Sequence, residues 1–392
     1  MSSLCTEVDS KSLNKYGEEL CGDNVEIVYP DEDSLVVVLA DGLGSGVKAS
    51  ILSMLTSKII STMIANNMNI TDCVSAIAAT LPVCSVRQVA YSTFTIIRII
   101  ENRRAQIIQF DNPGVILLRG GVHYEFPAES QMIEGKTIYK TELSLQEGDV
   151  FVAISDGVEH AGVGGRLNFG WQRTDIIRFL ERLYKSDHTA HTLTGVLLEQ
   201  CDVLYDGRPG DDATVCTVKI RRRNPVCLLI GPPENPDDAE KMMGLFFSKG
   251  GKHIVCGGTT ANLAADFLGR ELNTRLPSPD DDPEIPPVAF IEGVDLVTEG
   301  VITISKVLEY TRSYLQGSCN DYSLRRNTDG ASQIARMLLE EATDISFFVG
   351  KAINPAHQNP NLPITFSIKM RLVEELAQNL EKMGKHVKSI FF

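Results

Sequence analysis

Four aspartates, Asp23, Asp41, Asp156 and Asp211, each stand where a strand-like run meets a turn. Carboxylates brought together raise one another's pKa, so a cluster of them needs cationic company, and divalent metal is the simplest form of it. With oxygen donors and no paired histidines nearby, such a site favours hard ions, Mn²⁺ or Mg²⁺, over zinc. Two ions about 4 Å apart would lower the pKa of a bridging water and clamp phosphoryl oxygens during in-line attack. No side-chain nucleophile is then required, and hydrolysis of a phosphoester is the chemistry to expect. The run Asp41-Gly42-Leu43-Gly44-Ser45-Gly46 adds flexible backbone between a strand end and a helix. A glycine beside the metals permits close approach of a carbonyl or of substrate, and a helix N-terminus favours an anion. Gly44 and Ser45 are therefore the candidate phosphate contacts. An Asp-Gly pair after a strand is by itself only a turn signal; the argument lies in four aspartates, each at a strand terminus.

These residues need elements that gather them. VEIVY (25–29) and LVVVLA (35–40) flank the turn-rich PDEDS and read as a hairpin. If it turns about Glu32, residue 29 faces 35 and, by the same sum, 23 faces 41, so Asp23 and Asp41 share one sheet end. Asp156 follows VFVAIS, an unbroken apolar run of the kind expected of a strand covered on both faces. Asp211 precedes ATVCTVKI, and in an antiparallel pair the end of one strand meets the start of its neighbour. Helices intervene there, so this second pairing rests on pattern alone. Helical periodicity covers 47–66, 71–80, 174–185 and 192–205; TFTIIRII, AQIIQF and, after the turn DNPG, VILLR read as strands. An α+β sandwich is expected, with sheets inside and helices outside.

At 392 residues the chain should form two domains. The basic run 219–223, with Pro225 behind it, reads as a solvated linker, which gives domains 1–222 and 226–392. Beyond it VCLLIG, KHIVCGG, VAFIEG and ISFFVG alternate with helices near 237–248, 260–269, 303–316 and 332–343, and a last helix precedes VKSIFF. That alternation predicts a doubly wound, Rossmann-like α/β domain. PITFSI reads as extended, and 277–287 as an acidic, proline-rich, solvated loop. The net charge of −14 argues against nucleic acid or an anionic membrane as partner. With no apolar run long enough to span a bilayer and no signal-like start, a cytoplasmic protein is expected. Nine scattered cysteines without a C-x-x-C pair read as reduced core thiols.

Cys21-Gly22-Asp23-Asn24, ADGLGSG from Ala40, ISDGV from Ile154 and GDDAT from Gly210 occur in the order and spacing of a known family. They resemble the metal-dependent protein serine/threonine phosphatases (PPM), in the bacterial branch typified by stage II sporulation protein E. The resemblance covers about the first 220 residues. It implies an αββα sandwich in which Asp41 bridges two metals, the Gly42 carbonyl and Asp23 complete their coordination, and Asp156 and Asp211 hold one of them. It also implies a phosphoserine or phosphothreonine protein as substrate, in this branch often an antagonist of an anti-sigma factor. Leu43 stands where the eukaryotic branch has histidine, and no arginine matches that branch's phosphate ligand; Lys11 and Lys15 are the substitutes to consider.

In the second half, Gly257, Gly258, Thr259 and Thr260 link a strand to a helix, an arrangement that presents backbone N–H groups to a phosphate or nucleotide, or serves as a capped turn. A small-molecule sensor that controls the phosphatase is the role this suggests. A dinucleotide loop at DGLGSG fails, because the spacing is not G-x-G-x-x-G and one helix follows another. A silent phosphatase-fold scaffold is the remaining alternative, against which all four aspartates speak. His160 reads as solvated, Cys256 as a buried thiol, and the apolar helix 47–66 could support a homodimer.

Overall fold

The computed structural model describes residues 3–80, 92–274, 287–316, 327–352 and 368–392. The stretch 277–287 except Pro287, and PITFSI except Ile368, lie outside them. The chain divides into two compact units, Met1–Arg222 and Arg223–Phe392.

In the first unit the elements are β1 (Leu4–Leu13), β2 (Asp23–Asp31), β3 (Ser34–Gly42), α1 (Gly46–Ala65), α2 (Ile70–Thr80), β4 (Ser92–Ile100), β5 (Arg104–Phe110), β6 (Ile116–Arg119), β7 (Val122–His123), β8 (Glu129–Ile133), β9 (Lys136–Ser144), β10 (Val150–Ile154), α3 (Asp156–Glu159), α4 (Arg173–Leu183), α5 (Ala190–Leu204) and β11 (Ala213–Arg222). They form two antiparallel sheets, ordered β2-β3-β4-β5-β9-β8 and β1-β11-β10-β6-β7.

Alternation along the strands builds the layers. Leu35, Val37 and Leu39 of β3 meet Phe151 and Ala153 of β10 between the sheets. The other face of β3, through Val36 and Val38, packs on Leu52, Ile60 and Ile64 of α1. The other face of β10, through Val150, Val152 and Ile154, packs on Leu180, Leu193 and Leu197 of α4 and α5. Both strands are covered on two sides, which is why each reads as unbroken apolar sequence. The order of layers is helix, sheet, sheet, helix.

One reading of the sequence is corrected, and two features went unread. The strand β1 pairs with β11 along ten residues, yet its polar composition hid it. Beyond Pro127 the chain forms a hairpin, β8 and β9, whose turn residues Glu134 and Gly135 both have positive φ, as a two-residue hairpin turn requires. The basic run is not a solvated linker: β11 continues to Arg222, and Lys219 is buried, its Nζ donating to the carbonyls of Ser186 and His188 at 2.8 and 2.5 Å. Arg221 pairs with Glu7 at 3.1 Å and Arg222 with Glu147 at 2.6 Å.

At 20 residues, α1 has the length and apolar composition of a membrane span, against the expectation of none. One side of it, with Leu52, Ser53, Thr56, Ser57 and Ile60, is buried. Val47, Ile51, Met54 and Leu55 are exposed along the other.

The second unit contains β12 (Pro225–Ile230), α6 (Ala239–Phe247), β13 (Lys252–Cys256), α7 (Gly258–Leu268), β14 (Asn273–Thr274), β15 (Ala289–Phe290), β16 (Leu296–Thr298), α8 (Val301–Leu315), α9 (Gly330–Arg336), β17 (Asp344–Val349), α10 (Ile368–Lys382) and β18 (His386–Phe391). Its sheet runs β14-β15-β16-β13-β12-β17-β18, parallel from β16 to β18. Val226, Leu228 and Ile230 of β12 pack with Val307 of α8, Ile334 of α9 and Leu376 of α10. Cys227 and Leu229 pack with Met243 and Phe246 of α6 and Ala264 of α7.

Phe151 is fully buried between the two sheets of the first unit. Phe151→Ala should therefore destabilise that unit by about 3–5 kcal/mol, read as a lowered urea midpoint; an unchanged midpoint would mean that the sheets do not depend on this contact.

Candidate metal centre

The β2–β3 hairpin pairs Asp23 directly with Asp41. A bulge between Val28 and Asp31 disturbs the turn end, so the count from 29 to 35 is interrupted there while the site end keeps its register. The N–H of Gly42 donates to the Gly22 carbonyl at 3.1 Å. A Cβ on Gly42 would collide with the backbone carbonyl of Ala49, so glycine lets the first turns of α1 lie against the strand end.

In the other sheet β10 and β11 are antiparallel, Ile154 opposite Val215. Beyond the ladder, the Thr214 N–H donates to Ser155 Oγ at 2.9 Å, and the Ser155 N–H to the Thr214 carbonyl at 3.0 Å. Asp156 then opens the short helix α3, and Asp211 lies just before β11. Gly157 repeats the device of Gly42, since a Cβ there would collide with the Asp212 carbonyl. Tyr205 donates its hydroxyl to the Gly157 carbonyl at 2.6 Å and fixes the same turn.

The four carboxylates share one electrostatic field. Burial raises Asp41 to about 9, with Asp23, Asp156 and Asp211 pushing the same way. Asp23 is raised to about 7, again by burial first, with Asp212 and Asp156 adding to it and the hydroxyls of Thr214 and Ser155 opposing it. Asp211 is also raised, by burial and then Asp156, while Lys15 pulls it down. Asp23 is 6% exposed, and its Oδ2 has no hydrogen-bond partner. A buried carboxylate oxygen without a donor is costly unless a cation meets it. The donor set thus fits divalent cations.

Other residues fall differently from the sequence reading. Asp212, passed over beside Asp211, is buried and accepts the N–H of Lys15 and of Gly22, each at 2.9 Å. It ties the segment before β2 to the start of β11, and the second aspartate of GDDAT was its signal. Lys11 lies 3.4 Å from the His191 ring on α5, whereas Lys15 is near Asp211. Ser45 donates to Glu18 at 3.3 Å, so a carboxylate already meets the hydroxyl proposed for phosphate; Gly44 has open space around it. His160 is exposed, as a solvated side chain would be, and donor atoms of Asp156, His160 and Asp211 lie within 4.8 Å of one another.

In the second unit Gly257 has φ 108 and donates its N–H to the Thr298 carbonyl at 2.8 Å. Gly258 and Thr259 are exposed and Thr260 is buried. Close by, Gly300 packs on Gly257, and Glu299 Oε2 and Thr303 Oγ1 are buried without a hydrogen-bond partner.

Residues 31–221 match the sequence model of the family stage II sporulation protein E (SpoIIE). Among solved structures, the chain is similar to the PP2C phosphatase domain with a regulatory-domain fragment of SpoIIE from Bacillus subtilis, at 18% identity and TM-score 0.49. That match covers 57% of this chain and 65% of the other, just under two thirds of its length. The RsbU and RsbW domains of Rv1364c from Mycobacterium tuberculosis match at 14% identity and TM-score 0.48, over 62% of this chain and 69% of that one. The catalytic domain of the serine/threonine phosphatase PstP, in complex with two manganese ions, matches at 16% identity and TM-score 0.39, over 56% and 99%. No curated protein matches the chain in sequence. Residues 31–221 of the first unit thus form a SpoIIE-like segment.

Proposed function

We propose that the first unit hydrolyses phosphoserine or phosphothreonine in a regulatory protein, with two divalent cations, Mn²⁺ or Mg²⁺, as cofactors. The observation that carries this reading is the convergence of Asp23, Asp41, Asp156 and Asp211 around a buried, partnerless carboxylate oxygen inside a SpoIIE-like segment. Asp41, whose field includes the other three, would serve both cations; Asp23 and the Gly42 carbonyl would complete one or other set, and Asp156 and Asp211 would hold one cation between them. When bound, the cations offset the carboxylate charge, make water a stronger nucleophile and draw charge from the phosphoryl oxygens. The protein's own part is positional. Gly42 and Gly157 let backbone close in behind Asp41 and Asp156, and Asp212 anchors residues 15–22 along the rim. That rim carries Lys15, whose charge lowers Asp211 and which is the better placed of the two lysines to meet substrate phosphate.

The substrate is taken to be a phosphorylated regulator of the anti-sigma antagonist kind, in a cytoplasmic signalling setting. We read the second unit as a doubly wound, Rossmann-like domain that senses a phosphate-bearing or nucleotide ligand at Gly257, Gly258, Thr259 and Thr260. Of the partnerless oxygens near that loop, the Thr303 hydroxyl can donate to a phosphate, whereas the Glu299 carboxylate can accept only from a hydroxyl or N–H group such as a nucleotide carries. The exposed row on α1 is compatible with a homodimer.

The protein should turn over p-nitrophenyl phosphate and a phosphoserine peptide with Mn²⁺ or Mg²⁺ and stop with chelator. Asp41→Ala should lower the rate by roughly a hundredfold or more, the upper scale for even a supporting residue of a metal site. No turnover combined with no Mn²⁺ binding would leave the scaffold reading.

A pH signature follows without any substrate. Asp23 and Asp41 have folded pKa values of about 7 and about 9 against an ordinary 3.8, so between these limits the folded state binds more protons than the unfolded. Stability then falls as pH rises through that window. The chelated protein should lose melting temperature steadily from pH 5 to pH 9, and Mn²⁺ should remove the slope. A flat profile for the chelated protein would contradict the buried cluster.

A further inference from the structure

Asp156 opens α3, and His160 follows its last residue in right-handed helical backbone, φ −78 and ψ −8. The His160 N–H donates to the Asp156 carbonyl at 2.9 Å, which closes one helical turn. Residues four apart on a helix share a face, so the imidazole stands on the side from which the Asp156 carboxylate projects. Asp211 arrives from the start of β11, and ligand atoms of all three lie within 4.8 Å of one another. Two atoms on one ion, each about 2.1–2.2 Å from it, can be at most about 4.4 Å apart. A separation within 4.8 Å is of that order, and His160 is exposed, so its ring can turn without repacking the core. Independently, the partnerless Oδ2 of buried Asp23 calls for a cation, and Asp156 belongs to the same field.

We propose that His160 is a nitrogen ligand to the cation held by Asp156 and Asp211, so that this position prefers Mn²⁺ to Mg²⁺. The inference rests on the reading that these carboxylates bind a divalent cation at all. Imidazole is a poor donor for Mg²⁺, which keeps oxygen ligands, and a better one for first-row transition ions. One nitrogen among carboxylates therefore changes which ion wins, where an all-oxygen set would leave Mg²⁺ competitive.

The test uses the full chain loaded with Mn²⁺. Electron spin-echo spectroscopy should show ¹⁴N coupled to the bound Mn²⁺, and His160→Gln should abolish it. By calorimetry His160→Gln should weaken Mn²⁺ by about tenfold or more, at least the cost of losing an outer-shell partner, while Mg²⁺ affinity scarcely moves. His160→Asp, which restores an oxygen donor, should shift the preference towards Mg²⁺. Bound Mn²⁺ without ¹⁴N coupling in the unaltered protein, or coupling and affinity that survive His160→Gln, would overturn the role of His160 and leave the carboxylate site standing. Failure of the unaltered protein to bind Mn²⁺ would remove both readings together.

Discussion

Mutual repulsion among buried carboxylates is the constraint on which the first unit turns. Asp23, Asp41, Asp156 and Asp211 are brought into one field by strand ends from two different sheets, and each raises the cost of ionising another. A fold governed by stability alone would have no reason to gather them, since burying a like-charged set works against every gain from packing. The gathering becomes favourable when cations enter, and metal affinity is then also folding free energy.

Two glycines let the neighbouring elements close in on the strand ends that carry these aspartates. Gly42 admits the backbone of Ala49 and Gly157 that of Asp212, so each Asp-Gly pair is a contact point between a strand end and the element packed over it. The aspartate supplies charge and the glycine supplies access, and neither serves without the other. Asp212 does the complementary work from the core side by accepting the N–H groups of Lys15 and Gly22. One aspartate of the Asp211-Asp212 pair thus faces the site while its neighbour holds the frame.

How much of this was legible in the sequence depended on the range of the interaction. The facing of Asp23 and Asp41 followed from counting across a short hairpin, and it survives a bulge because the bulge lies at the turn. Layering was legible in β3 and β10, where burial on both faces leaves unbroken apolar runs. What stayed hidden was polar or distant. The β1 strand carries alternating polar residues and finds its partner 200 residues away, so no local pattern announces it. That His160 stands one turn beyond Asp156 could be seen only once α3 is known to begin at Asp156. Lys219 looked like part of a charged linker because its partners, the carbonyls of Ser186 and His188, are backbone groups that composition cannot show.

The pairing of β1 with β11 bears on how the chain is made. Strand β1 leaves the ribosome well before the strand it needs as ladder partner, Ala213–Arg222, the last of its unit. Until that strand emerges, β1 carries unpaired backbone groups, and the segment that Asp212 will anchor has nothing to hold it. Contacts of such long sequence separation make folding slow and expose intermediates to aggregation. The aspartate-bearing end is therefore completed late in synthesis, and a nascent chain stalled within β11 would present its aspartates before they are brought together.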